Sequence, residues 1–218
     1  MAEAFERPEE SRRERLRLFV ALPLPDRVRT RLATVRRDCA SLAQRFRWTR
    51  PEGMHVTVVF IGERPAEEVP LVEEVLRRVA GPYAALRLAV KGLGCFPGAA
   101  RPRVLWAGLS GDVALLGRLQ RRLTMELTAG GIPLTPQPFK PHVTLGRASG
   151  PFDGPARREL EAHLQRPATT FGSWTAGALE LMRSQLQPGG SVYTTLSRVP
   201  LGTAAPLPGG SEEGRHHG

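Results

Sequence analysis

Two tetrads of this 218-residue chain carry the same residue types in the same order, His55-Val56-Thr57-Val58 and His142-Val143-Thr144-Leu145. In an extended strand, side chains two positions apart share a face. Each tetrad therefore offers an imidazole and a hydroxyl together, while Val56 and Val58, or Val143 and Leu145, anchor the reverse face in a core. Strict alternation also puts Val59 and Ile61 on the side of His55, and Phe60 opposite. Behind any one histidine such a string arises at roughly the 1% level from composition alone, so a single copy carries little weight. Two copies, each behind turn-forming residues and inside an apolar run, in a chain with 5 histidines, read as a functional pair.

Histidine titrates near neutrality, so one ring can stand neutral while its partner is protonated. Placed on opposite sides of a phosphorus atom, two such rings serve an in-line displacement. The base takes a proton from the attacking oxygen and the acid gives one to the leaving oxygen. A threonine hydroxyl beside each ring can donate hydrogen bonds to the non-bridging oxygens as charge builds on them. Such chemistry requires no metal, and the sequence has no carboxylate cluster to hold one. No cofactor is expected.

These tetrads need rigid supports, and the surrounding sequence supplies them. Leu16, Leu18, Val20 and Leu22 alternate as a half-buried strand. Pro25-Asp26 opens a helix whose apolar stripe runs through Val28, Leu32, Val35, Cys39, Leu42 and Phe46. After the first tetrad strand, a helix over 66–80 buries Val72, Val75, Leu76 and Val79, with Glu73–Arg77 and Glu74–Arg78 paired at i,i+4 on its outer side. Two strands flank the Pro/Gly loop 97–102. A third helix, capped by Asp112, carries Leu116, Leu119, Leu123 and Leu127 and ends at Gly130-Gly131. The second tetrad strand follows, then a short helix from Pro155 and a hairpin around the Gln187-Pro188-Gly189-Gly190 turn. Helices mix with hairpin-like strand pairs, which predicts an α+β fold.

Hydrophobic content of 41% and charged content of 24% belong to a globular protein, and no apolar run is long enough for a membrane helix. The sequence 12–25 resembles a signal peptide only superficially. Arg17, Pro23 and Pro25 interrupt it, so a first strand is expected. Cys39 and Cys95 are too few for a disulfide scaffold and are expected as reduced thiols of a cytoplasmic protein. The net charge of +10 is almost all arginine, Lys91 and Lys140 being the only lysines. It favours a polyanionic substrate only modestly.

Five blocks in order resemble the two-histidine phosphoesterases, specifically the RNA 2′,3′-cyclic phosphodiesterases or LigT-like 2′-5′ RNA ligases. They are RLFVALPLPDRVR from Arg17, FRWTRPEGMHVTVVFIGE from Phe46, GLGCFPGAARPRVLWAGL from Gly92, PFKPHVTLGR from Pro138 and LELMRSQLQPGGSVYTTL from Leu179. The resemblance covers most of 15–199. It implies a single bilobal domain over 14–199 with outer helices, its two antiparallel sheets related by a pseudo-twofold across a central cleft. Residues 1–13 and the Pro/Gly-rich 200–218 are expected as flexible tails. The implied reaction is hydrolysis of a 2′,3′-cyclic phosphate to a 2′-phosphate, with His55 as proton donor, His142 as proton acceptor, and Thr57 and Thr144 binding phosphate. The implied substrates are RNA ends, tRNA fragments or small cyclic nucleotides. The reverse reaction, 2′-5′ ligation of cyclic-phosphate and 5′-hydroxyl ends, is the alternative activity, and a non-catalytic RNA-binding module the alternative class. A monomer with no membrane partner is expected.

Other residues are expected to be structural. Alternation points Arg147 away from His142, though its guanidinium could reach a phosphate. Phe139, Phe96 and Trp48 are expected to complete the core, with base stacking as their alternative role. His163 is expected as a helix C-terminal residue, Glu126 as a solvated one, and His216-His217 as no metal site.

Overall fold

The computed structural model describes residues 14–188 and 190–202. Tail residues 1–13 and 203–218, with His216 and His217, lie outside them. The strands are β1 (Arg15–Pro23), β2 (Phe46–Trp48), β3 (His55–Pro65), β4 (Leu86–Phe96), β5 (Val104–Gly111), β6 (His142–Ala148), β7 (Thr170–Ala176), β8 (Ala178–Gln187) and β9 (Gly190–Pro200). The helices are α1 (Asp26–Asp38), α2 (Val69–Ala80), α3 (Val113–Ala129) and α4 (Gly154–Leu164).

All strand pairs are antiparallel, in the order β7-β4-β5-β6-β3-β1-β8-β9, with β2 added beside β6. The order is palindromic in kind: the tetrad strands β6 and β3 are central, and three strands flank each. The halves join through a single cross-strand pair, Val56 with Val143. Two antiparallel half-sheets thus diverge from a seam that lies between the two tetrads. This is the bilobal α+β arrangement with a pseudo-twofold axis.

The helices cover the reverse face of the strands. Val28, Leu32 and Val35 of α1, Val72, Val75, Leu76 and Val79 of α2, and Leu116, Leu119, Leu123 and Leu127 of α3 are almost wholly buried, as their periodicity predicts. They share one apolar cluster with Val56, Val58, Val143 and Leu145. Burying one such leucine is worth roughly 1.5–3 kcal/mol relative to exposure. The backbone under each tetrad is thus clamped from behind.

Several local expectations need correction. α1 stops at Asp38, because Cys39 leaves the helical region at φ −110°, ψ 43°. Leu42 then sits in a 3-10 turn and Phe46 opens β2, both still buried. Asp112 does not cap α3 with its side chain. Its Oδ2 instead accepts from the Arg87 backbone N–H at 2.8 Å. Glu126 is no free solvated residue: it binds Arg78 at 2.9 Å and Arg122 at 2.7 Å, tying α2 to α3. β9 continues through Pro200, and Leu201 is buried with its N–H on the Gly177 carbonyl.

Candidate active site

Each histidine opens its strand directly after a turn. Pro51–Gly53 form a 3-10 turn ahead of His55, and Pro141 precedes His142. In both places the imidazole folds back on the turn. His55 Nδ1 lies 2.9 Å from the Gly53 carbonyl and His142 Nδ1 lies 2.6 Å from the Lys140 carbonyl, each two residues upstream. A carbonyl oxygen only accepts, so Nδ1 must carry the proton and donate. In the neutral ring this leaves the Nε2 lone pair as the free proton-accepting site. One tautomer is thus imposed on both rings by the same local device.

The cross-strand register supplies the rest. His55 stands opposite Pro23 and Thr57 opposite Ala21 on β1. His142 stands opposite Gly108 and Thr144 opposite Trp106 on β5. Pro23, Ala21 and Gly108 are small whereas Trp106 is bulky, and aromatic rings fix the imidazoles laterally. Phe19 stacks on His55 at 4.8 Å, and the Tyr193 edge meets it at 5.0 Å. Phe96 meets His142 edge-on at 5.0 Å, with Trp106 at 6.3 Å. Gly94 is required beneath Trp106, since a Cβ there would come within 2.2 Å of the indole. Neither the Thr57 nor the Thr144 hydroxyl has a hydrogen-bond partner among the described residues, so both are free to donate.

Burial drives both imidazoles toward the neutral form. His55 falls to about 4, chiefly by desolvation, with the His142 charge lowering it further against the opposing Gly53 carbonyl bond. His142 is lowered by desolvation and by the Arg147 charge, against the Lys140 carbonyl bond. The Val56–Val143 pairing sets the two tetrads side by side across the seam, and the His142 charge is among the causes lowering His55. Such a pair can divide a single proton between an acid and a base.

Arg147 departs from strict alternation. Between β5 and β6 the register slips, Leu105 facing Gly146 but Trp106 facing Thr144, so Leu145 is an extra residue on β6. The same bulge recurs on β3, where Val20 faces Val59 but Ala21 faces Thr57, leaving Val58 extra. One inserted residue reverses the faces beyond it. Val59 and Ile61 therefore point into the core, whereas Phe60 and Arg147 return to the side of the histidines. Phe60 is exposed there and carries the Arg17 guanidinium over its ring at 4.9 Å. The adjacent non-polar residues Val58-Val59 and Leu145-Gly146 were the available signal for both bulges.

Of the remaining candidates, Phe139 and Trp48 pack against the core, the Trp48 Nε1 donating to the Ala43 carbonyl at 2.8 Å. His163 lies in the last turn of α4, its ring nitrogens at the Glu159 and Asp38 carbonyls, away from the cleft. Cys39 and Cys95 are free and buried, and burial raises both thiol pKa values. Phe19 and Tyr193, which hold His55, escaped sequence reasoning because their strand neighbours identify them only once the register is known. Among the described residues no group of three or more His, Cys, Asp or Glu side chains could hold a metal ion. No helix among them is long and apolar enough to cross a membrane.

Comparisons with known proteins point the same way. The model of the family described as LigT like phosphoesterase matches twice, over 22–106 and over 109–193, each match containing one tetrad. An RNA 2′,3′-cyclic phosphodiesterase of Thermus thermophilus is 33% identical over 194 residues, spanning 85% of this chain and 90% of the relative. One from Methanothermobacter thermautotrophicus is 29% identical over 182 residues, spanning 84% and 97%. Among solved structures, a Thermus thermophilus protein superposes with a TM-score of 0.71 at 33% identity, covering 85% of this chain and 98% of that one. E. coli LigT complexed with 3′-AMP gives 0.68 at 26% identity, covering 86% and 99%.

Proposed function

The chain belongs to the LigT like phosphoesterase family, and we propose that it hydrolyses RNA 2′,3′-cyclic phosphate ends to 2′-phosphates, without a metal, through its paired histidines. The observation that carries this reading is the duplicated device in one cleft. Two imidazoles have Nδ1 committed to a backbone carbonyl, and each stands two residues from an unpartnered threonine hydroxyl. The cyclic phosphate sits between them, its non-bridging oxygens accepting from Thr57 and Thr144. His142, neutral at physiological pH through burial, takes a proton from water at Nε2. The water oxygen bonds to phosphorus, the bond from phosphorus to the 3′-oxygen breaks, and His55 gives its Nε2 proton to that oxygen. The anionic phosphate favours the imidazolium of the donor, offsetting the desolvation that lowers it in the free protein.

This division of roles follows the family resemblance. Relatives named RNA 2′,3′-cyclic phosphodiesterases support the substrate class. Pure protein incubated with a nucleoside 2′,3′-cyclic phosphate should release the 2′-phosphate, identified by chromatography, at the same rate with and without EDTA. A 3′-phosphate product, or loss of turnover with chelator, contradicts the mechanism. His55→Ala and His142→Ala should each lower kcat by about a hundredfold or more with an unchanged circular dichroism spectrum.

A further inference from the structure

Beside His55, and lined by neither histidine, lies a chamber of about 590 Å³. Its boundary touches the chemistry directly: Gly53 accepts the His55 hydrogen bond, and the Tyr193 ring rests against His55. One wall is cationic. Arg17, Arg47, Arg50 and Arg147 line it, against the lone carboxylate of Glu52. Some arginines elsewhere pair with acids, as Arg45 does with Asp153, Arg64 with Glu68 and Arg77 with Glu73, while others such as Arg36, Arg37 and Arg118 stand without an acid among the described residues. In the chamber, Arg47, Arg50 and Arg147 enter no ion pair or side-chain hydrogen bond among the described residues. Moreover, Arg47 and Arg147 stand directly opposite each other in the β2–β6 ladder. Like charges so placed repel, and an anion between them would relieve the repulsion.

The β8–β9 hairpin supplies another part of the lining, in which Leu186, Val192 and Tyr193 stand with Gln187 and Ser191. β8 pairs with β1 only as far as Ser184, so the tip of the β8–β9 hairpin projects beyond the sheet as a two-stranded ribbon. It presents Leu186, 73% exposed, and Val192, 38% exposed, both lining the chamber alongside Tyr193. Guanidiniums lining one chamber together with apolar and aromatic side chains match a single nucleic-acid strand, which alternates phosphates with planar bases. A run of carboxylates in an acidic protein would satisfy the arginines but offers nothing flat for the ribbon.

We propose that this chamber is a polynucleotide subsite, holding the phosphodiester that links the terminal, cyclic-phosphate-bearing nucleotide to its upstream neighbour, and that neighbour's base. The preferred substrate is then an RNA 3′ end, not a free cyclic mononucleotide. The inference rests on the cyclic phosphodiesterase activity proposed above, and its test separates the two. Binding is measured by fluorescence anisotropy with a labelled oligoribonucleotide ending in a 2′-phosphate, which requires no turnover. Turnover is compared between a cytidine 2′,3′-cyclic phosphate and a short oligoribonucleotide with the same terminus.

For the Arg47→Ala/Arg50→Ala double variant, oligonucleotide affinity should fall by about tenfold or more, and the slope of log K against log salt should lessen by about 0.7 per lost contact. Arg47→Lys should keep most of the slope, because it keeps the charge. The ratio of oligonucleotide to mononucleotide kcat/KM should exceed one in the wild type and fall by about tenfold in the double variant. An unchanged salt slope, equal losses on both substrates, or equal competition by an acidic peptide of matched charge would overturn the subsite. Absent turnover on both substrates with arginine-dependent binding intact would instead refute the hydrolytic reading and leave the subsite standing.

Discussion

Raising the pH of a kinetic assay from about 5 to about 8.5 should inactivate this protein, and the structure fixes where the decline begins. The proposed couple works with one proton shared between two rings, so it is productive only while the pair binds that proton. Both rings are lowered from the ordinary histidine value of 6.5, His55 to about 4 and His142 by its own burial and by Arg147. The upper macroscopic midpoint of the pair therefore lies below 6.5, whichever ring is the acid. Above it the singly protonated fraction falls about tenfold per pH unit, so kcat/KM should drop about a hundredfold between pH ~6.5 and pH ~8.5. The lower limb falls near the His55 value, where both rings hold protons and no base remains. Because kcat/KM reports the free protein and kcat the complex, the bound phosphate anion should displace the upper limb of kcat to higher pH.

Initial rates on a nucleoside 2′,3′-cyclic phosphate, below and above saturation in buffers of constant ionic strength, measure both profiles. The product is followed by chromatography. A kcat/KM that stays flat or rises from pH ~6.5 to ~8.5 would refute the shared proton, because a lone base needs no protonated partner. A limb at the same pH in kcat and kcat/KM would show that the phosphate does not sit beside the imidazolium.

The same burial makes stability pH-dependent. His55 has a folded value near 4 against 6.5 when unfolded, so the unfolded chain binds more protons between those values. This contribution is fully present above pH 6.5 and lost as pH falls toward 4, amounting to about 3 kcal/mol, and urea unfolding of wild type and His55→Gln across that window should show the variant's curve to be flatter. Thr57→Val and Thr144→Val keep shape and lose only the hydroxyl, and each should lower kcat/KM by about tenfold to a hundredfold without shifting the pH limbs; a steady-state comparison with no loss would remove the threonines from phosphate binding. Gly94→Ala forces a methyl into the Trp106 indole, which lies against Phe96 and near His142. It should cost about 1–3 kcal/mol in urea unfolding and reduce turnover, and unchanged values in both would mean that the indole can move without consequence.

What the sequence revealed, and what it hid, divides along the range of the forces involved. The tetrads, the helix stripes of α2 and α3 and the order of elements were legible because periodicity and motif spacing are local. Leu116, Leu119, Leu123 and Leu127 are buried where the period of 3.6 puts them. β7 (Thr170–Ala176), by contrast, went unseen. Gly172 and Ser173 interrupt its apolar pattern, and its existence depends on pairing with β4 across a long separation. β2 is only three residues long and is held as a strand by β6. The α1 stripe ran on through Leu42 and Phe46 because burial continues after the helix ends, and periodicity alone cannot tell a helix from a 3-10 turn followed by a strand.

The largest departure lies one residue past the tetrads, and it explains why two copies of one motif can make an asymmetric site. Up to the threonine the halves obey one plan: carbonyl-locked imidazole, alternation, free hydroxyl. The bulges at Val58 and Leu145 then return the residue three positions beyond the threonine to the histidine side. On β3 that residue is Phe60, which holds Arg17 over its ring, and on β6 it is Arg147. Both halves thus bring a guanidinium to the cleft, one on a neighbouring strand and held by an aromatic face, the other directly. Only the second also acts on its own histidine, since the Arg147 charge is among the causes lowering His142. Symmetric backbone places the proposed proton-transfer groups as equivalents, and the side chains at this one position begin to distinguish them. Removing the Arg147 charge while keeping a polar side chain, in Arg147→Gln, should therefore raise the upper limb of the kcat/KM profile toward the ordinary histidine value. Phe60→Leu should leave that limb in place, and a shared or absent shift in the two profiles would show that the asymmetry arises elsewhere.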